Sequence, residues 1–199
     1  MKLLFVNACP RAQFSRTLEL AHVFLDELTA RLENVEITTH DLTRMRLQPV
    51  DASLLARKEA LCDTRTWDDP LFAPAVQLKD ADMVLIAAPY WDLSFPSILK
   101  IWVENMYVRN LTFRYQSDRP VGLCSAGHCV YLTTAGSAIG DMDFGSTYIA
   151  AVMRVFGICG FDCVAAERLD LDQTDVGMVM TRARDQVRQL ARRLAHARG

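Results

Sequence analysis

The 199-residue chain has no long apolar run: the longest, Met83 to Trp91, is nine residues, against the ~20 that a membrane-spanning helix needs. The apolar stretch at the start, Leu3 to Val6, is too short for a signal peptide. Charge of neither sign dominates. Lys plus Arg number 22 and Asp plus Glu 24, a net charge of −2, which provides no global attraction to nucleic acid or to an anionic membrane. Six cysteines in a chain of this length do not make the dense disulfide framework of a secreted mini-domain. The expectation is a reduced, cytoplasmic protein with neither nucleic acid nor membrane as partner. Neither G-x-G-x-x-G nor G-x-x-x-x-G-K-[ST] occurs, so both common nucleotide-phosphate cradles are excluded.

What is present is a globular composition, 51% hydrophobic and 23% charged. A single domain of this size buries roughly 70% of its unfolded surface. Short apolar runs alternate with amphipathic stretches. Leu3–Val6, residues 35–40, 82–89, 128–134 and 162–167 read as strands, with 82–89 the strongest buried signal. Residues 16–32 place Leu18, Ala21, Leu25, Leu28 and Leu32 at helical spacing behind Ser15 as N-cap. Pro70 and Pro96 suit first helical turns. The last helix, about 174–196, carries an apolar side and an arginine-rich side, the latter read as a solvated face. Five strand-helix alternations predict one α/β domain spanning 1–199. Its sheet is doubly wound, parallel and five-stranded, with strand order 2-1-3-4-5 and helices on both faces. Residues 41–68, with a short helix near 51–61, read as an insertion.

In such a sheet ligands bind beyond the carboxyl ends of the strands, where the strand order reverses. Three loops leave those ends. The first, Asn7 to Thr17, joins a buried strand to a helix N-terminus and carries Arg11, Ser15, Arg16 and Thr17, which suits a phosphate. The second, Pro89-Tyr90-Trp91-Asp92-Leu93-Ser94-Phe95-Pro96, offers aromatic surface for a planar ring or else caps the core. The third, Thr133-Thr134-Ala135-Gly136-Ser137, is small enough for close backbone approach. A phosphate at one strand end and a ring between the next two describe a flavin mononucleotide site.

These pieces resemble the flavodoxin-like NAD(P)H:quinone oxidoreductases, especially the FMN-dependent NADH-azoreductases. The resemblance covers nearly the whole chain: the Ser15–Thr17 loop, Pro89–Pro96 followed by Leu99-Lys100, Leu111–Tyr115, Gly122-Leu123, the Thr133–Ser137 loop and Phe156–Phe161. It implies FMN as cofactor, NADH or NADPH as hydride donor, a quinone or azo compound as acceptor, and a homodimer. It further implies that Cys9, Arg11, Ser15 and Thr17 hold the FMN phosphate. Pro89, Tyr90, Trp91, Asp92 and Leu93 would then line the ring, with Tyr90 and Trp91 stacking in the hydride step, and Thr134, Gly136 and Ser137 would meet its pyrimidine side. Three positions depart from the family pattern. Cys9 replaces serine, Asp92 replaces asparagine, and Ala135 with Ser137 replace a glycine-richer loop.

Other readings of the same residues stay open at this level. A phosphatase would use Cys9 as nucleophile, Arg16 to bind the phosphate and Asp69 as acid, although Arg16 follows Cys9 one residue later than that chemistry places it. A flavodoxin-type electron carrier and a cofactor-free binding protein on the same fold are non-enzymatic alternatives. Cys124 and Cys129 have a spacing at the limit of a zinc site, with Cys159 and Cys163 as a second pair, but Cys129 and Cys163 fall on expected strands and are more simply read as small buried hydrophobes. No metal is expected.

Overall fold

The computed structural model describes residues 1–197, two short of the expected domain bounds. Five parallel strands make the main sheet: β1 (Lys2–Asn7), β2 (Glu36–Asp41), β3 (Met83–Ala87), β6 (His128–Thr134) and β7 (Gly160–Ala166), in the order β2-β1-β3-β6-β7. Counted within the sheet alone, this is the expected order 2-1-3-4-5. The extra numbers belong to a small antiparallel hairpin, β4 (Phe113–Gln116) paired with β5 (Arg119–Gly122). Neither is expected as a strand from the sequence. Each is four residues long and mostly exposed, so neither leaves an alternating apolar signature.

The strands read as continuous apolar runs because both faces are covered. Odd and even positions go to opposite sides. Leu4, Val6, Val84, Ile86, Cys129 and Tyr131 pack on one side with Phe72, Trp102 and Phe156. Leu3, Phe5, Met83, Leu85, Val130 and Leu132 pack on the other with Leu20, Phe24, Val187 and Leu190. The first layer belongs to α3 (Ala73–Asp80), α4 (Ser97–Met106) and α5 (Phe144–Val155); the second to α1 (Arg16–Thr29) and α6 (Val176–His196). Pro96 stands one residue earlier than expected, as the N-cap of α4 rather than inside its first turn. Pro70 opens a 3-10 turn over Pro70–Phe72.

The long connection between β2 and β3 carries α2 (Ala52–Thr64), started by Asp51, whose side chain accepts from the Leu54 N–H at 2.8 Å. It is anchored through Lys58, a buried lysine that donates to the Glu104 carbonyl at 2.9 Å and the Asn105 carbonyl at 3.4 Å. These are C-terminal carbonyls of α4, which have no partner inside their own helix. Burial lowers the Lys58 pKa from its ordinary value. Glycine matters where the hairpin meets α5: a Cβ on Gly122 would run into the backbone of Phe156 and Gly157, and Gly157 itself has φ +91°. Among the described residues no helix is long and apolar enough to cross a membrane.

One buried polar chain ties β2 to the helix layer. The Trp102 indole N–H donates to His40 Nδ1 at 3.0 Å, which leaves His40 Nε2 to donate to the Gln77 Oε1 at 2.7 Å. That arrangement needs a neutral imidazole, and burial lowers the His40 pKa below its ordinary 6.5. As pH falls past about 6.5 the unfolded chain takes up a proton that the folded one refuses. Stability measured by urea unfolding is therefore expected to decline below pH ~6.5. In a His40→Leu variant, which orphans the Trp102 and Gln77 groups at a cost of about 1–3 kcal/mol, that part of the pH dependence disappears.

Candidate active site

The strand order reverses at β1: the chain leaves it for β2 on one side and reaches β3 on the other. The loops beyond β1 and β3 therefore diverge and leave a crevice between them. The register holds the strand ends level, with Asn7 opposite Ala87 and Ala87 opposite Leu132. Ladder bonds continue past the ends, from the Ala8 N–H to the Ala87 carbonyl at 2.9 Å and from the Tyr90 N–H to the Thr134 carbonyl at 2.9 Å.

The crevice holds a cavity of about 190 Å³ lined by all three loops. Of the candidate residues it brings together Arg11, Ser15, Thr17, Pro89, Tyr90, Trp91, Thr134 and Gly136. Phe14, Arg16, Ala135, Leu169 and Asp170 complete the lining. Cys9 lies behind it, fully buried. Asp92 and Leu93 form the exposed tip of the second loop, and Ser137 is exposed just past Gly136, outside the lining.

Each loop has a physical reason for its shape. Asn7 turns the chain at the end of β1, its side-chain oxygen accepting from the Cys9 N–H at 3.1 Å. Ser15 caps α1 by accepting from the Leu18 N–H at 3.2 Å, while the N–H groups of Arg16 and Thr17 at the first two helical positions have no intrahelical acceptor. The Ser15 hydroxyl also lies against the Cys9 thiol. Thr17 is buried and shares a 2.7 Å hydrogen bond with the Thr134 hydroxyl, which locks the first loop to the third. Its side chain thus serves as a tie, and its backbone N–H is what it offers to an anion. Two guanidinium groups, one hydroxyl and a helix N-terminus make a donor set suited to a phosphate.

The second loop closes a tight hairpin. The Trp91 N–H donates to the Ser94 carbonyl at 3.3 Å and the Ser94 N–H to the Trp91 carbonyl at 2.8 Å. Between them Asp92 and Leu93 both lie in the left-handed region, at φ 49° and 66°. Two positive φ values are the mark of a type I′ turn, where glycine is the relaxed second residue. A leucine there is strained by about 1–2 kcal/mol. The loop is braced from behind by the Tyr90 hydroxyl, which donates to the Met142 carbonyl at 2.9 Å, and by the Phe144 N–H, which donates to the Leu93 carbonyl at 3.3 Å.

The fourth wall was missed by sequence reasoning. It comes from the loop after β7, where the N–H groups of Leu169 and Asp170 donate to the carbonyls of Ala135 and Gly136, both at 3.0 Å. A Cβ on Gly136 would run into the Asp170 carboxylate. That carboxylate pairs with Arg16 at 3.1 Å, so the first and last strand loops meet across the cavity. The expected strand over 162–167 marked where this loop starts, but nothing in the sequence aimed it at Arg16.

The phosphatase reading fails on the same geometry. The Cys9 thiol faces the Ala87 carbonyl at 3.5 Å, and burial pushes its pKa up to about 11 against a smaller opposing effect of the Ser15 hydroxyl. Asp69 caps the 3-10 turn by accepting from the Leu71 N–H at 2.8 Å, which with Arg57 lowers its pKa, the wrong direction for a general acid. Among the described residues no group of three or more His, Cys, Asp or Glu is placed to hold a metal.

A five-stranded parallel sheet in this order, with a crevice between the loops after its first and third strands, defines the flavodoxin-like class. The model of the flavodoxin-like fold family matches residues 1–191, and the chain belongs to that family. Among curated relatives, an "FMN-dependent NADH:quinone oxidoreductase" of Clostridium perfringens is 30% identical over 173 residues, covering 85% of this chain and 87% of the relative. An "FMN-dependent NADH:quinone oxidoreductase 2" of Clostridium acetobutylicum is 27% identical over 197 residues, covering 96% and 98%. Among solved structures, an FMN-dependent NADH-azoreductase of Bacillus anthracis in complex with FMN superposes with a TM-score of 0.86 at 22% identity, covering 98% and 99%, a likeness of fold.

The burial of Cys9 has a direct chemical consequence. With a pKa near 11 only about one thiol in a thousand is ionised at pH 8. Iodoacetamide at that pH is expected to leave Cys9 unmodified in the folded protein while labelling exposed Cys159, as read by peptide mass spectrometry.

Proposed function

We propose that the protein is an FMN-dependent NADH:quinone oxidoreductase that also reduces azo compounds. The observation that carries this is the cavity at the β1/β3 crevice, where an anion cradle and an aromatic wall open onto the same space. FMN, when bound, supplies a ring that exchanges two electrons between a reduced nicotinamide and a flat acceptor. The remaining work falls to the residues of this chain.

The Arg11 and Arg16 guanidinium groups, the Ser15 hydroxyl and the free N–H groups of α1 hold the phosphate. Arg16 is pre-oriented by Asp170, which leaves its other N–H donors to face the anion. Pro89, Tyr90 and Trp91 would wall the ring, with Asp92 and Leu93 at the tip of the same loop. The Thr17–Thr134 tie and the small Gly136 keep the far side narrow. Cys9 acts as a packed support beneath the loop. No side chain in the cavity is placed as a general acid, which suits chemistry in which the cofactor carries the electrons and the acceptor draws its protons from water.

Relatives named for NADH support NADH as donor. A homodimer in the cytoplasm completes the proposal. A groove of about 620 Å³ between α2, α4, α5 and the hairpin, walled by Val103, Tyr107, Phe113, Tyr115, Tyr148 and Val152, is the apolar surface a second copy would cover.

The purified protein is expected to show a flavin absorption spectrum after FMN addition and desalting, to bleach with NADH and to recover with a quinone. A protein that stays colourless refutes the assignment. Ser15→Ala with Thr17→Ala should weaken FMN binding roughly ten- to hundredfold, read by fluorescence titration. Asp92→Asn should raise the flavin midpoint potential by on the order of 10 mV, because it removes an exposed negative charge beside the ring.

A further inference from the structure

Buried polar side-chain atoms without a partner are rare and need a cause. Two occur among the described residues, and they are neighbours: the Tyr131 phenol and the Thr133 hydroxyl, on residues 1% and 3% exposed. Both side chains leave β6 on the same face, two positions apart. Burial raises the Tyr131 pKa above its ordinary 10, with the Thr133 hydroxyl acting the other way, so the phenol keeps its proton and lies close to Thr133. A glycine keeps space open in front of the phenol. A Cβ on Gly145, in the first turn of α5, would stand 3.3 Å from the Tyr131 Oη and 3.1 Å from the Ser94 carbonyl oxygen. Hydrogen-bond reach from both groups therefore meets beside the Gly145 Cα. The Ser94 carbonyl accepts from the Trp91 N–H at 3.3 Å and has a second lone pair to use. The polar side chains behind are committed to one another. Asp143 accepts from the Ser146 N–H at 2.8 Å and from the Ser146 hydroxyl at 2.5 Å, and the Cys163 thiol lies against that same hydroxyl.

We propose that Tyr131, Thr133 and the Ser94 carbonyl form a closed site for one water molecule, which ties β6 to the second loop from beneath. The phenol donates to the water, and the water donates to the Ser94 carbonyl and the Thr133 hydroxyl, the roughly three bonds usual for a buried water. A neutral occupant fits better than a cation, because both oxygens of the nearby Asp143 carboxylate are taken up by Ser146. Through the Ser94 carbonyl the water steadies the hairpin that carries Trp91, whose tip is strained at Asp92 and Leu93. Tyr131 is thereby a positioning residue for this loop, with or without a bound cofactor.

The test uses the whole protein and two isosteric variants. A high-resolution crystal structure should show water density within hydrogen-bond distance of all three oxygens. Tyr131→Phe should raise the unfolding constant measured in urea about tenfold, because the water loses its donor. It should also speed hydrogen exchange at the Trp91 and Ser94 amides by a larger factor than the unfolding constant changes, which the loss of packing alone does not do. Thr133→Val should act in the same direction, and the double variant should be little worse than either single one, since the same water is lost each time. A Tyr131→Phe protein of unchanged or greater stability overturns the proposal, because deleting a hydroxyl that has no partner at all gives that result. Exchange that changes only as far as global stability overturns the positioning role. A crystal without water density overturns the site itself, and non-additive variants in that case mean that the two hydroxyls bond each other directly.

Discussion

The reversal of strand order at β1 is the constraint from which the rest of the site follows. Because β2 and β3 lie on opposite sides of β1, the connections leaving β1 and β3 run to opposite faces of the sheet and cannot pack on each other at the strand ends. A gap is left above the middle of the sheet, with the N-terminus of α1 pointing into it. Everything placed there, from Ser15 to Tyr90 and Trp91, is held by strands whose side chains are buried on both faces. The scaffold is rigid for ordinary reasons of packing, and the loops inherit that rigidity at their roots.

What narrows the gap into a site is a small set of cross-loop bonds. The Thr17–Thr134 hydroxyl pair joins the first loop to the third, the Arg16–Asp170 pair joins the first to the loop after β7, and the Tyr90–Met142 bond joins the second to the segment that leads into α5. The Thr17–Thr134 bond is partly shielded from water, which strengthens it. The Arg16–Asp170 pair is half exposed, adds little stability and serves mainly to orient the guanidinium. Stability and function pull apart at the hairpin tip, where Leu93 occupies a conformation that suits glycine and keeps apolar surface in solvent. Such a trade is found where a site is shaped for a partner the free protein does not supply.

The two pockets also divide the labour of the fold. The crevice cavity is small and brings Arg11, Ser15 and Arg16 together with Tyr90 and Trp91. The larger groove lies against α2, which Lys58 pins to the end of α4, so the β2–β3 connection is part of the helix layer rather than a loose addition.

The sequence by itself determined the class of fold and the three loops that line the crevice, because strands covered on both faces leave unbroken apolar runs and helix starts leave caps such as Ser15. It also grouped Arg11, Ser15, Arg16 and Thr17 at one end of the cavity, since residues within ten positions of one strand end need no tertiary information to be neighbours. Tertiary structure alone decided the rest. Thr17 turned from a candidate hydroxyl donor into a buried tie to Thr134, a residue more than a hundred positions away. Leu169 and Asp170 became a wall of the cavity because β7 pairs with β6, which no local pattern announces. Cys9, read from the sequence either as a nucleophile or as part of the phosphate loop, lies behind the cavity, buried against the Ala87 carbonyl, and that burial raises its pKa. Local periodicity is written in adjacent residues, whereas burial, ion pairing and pKa depend on which distant segments the sheet brings together.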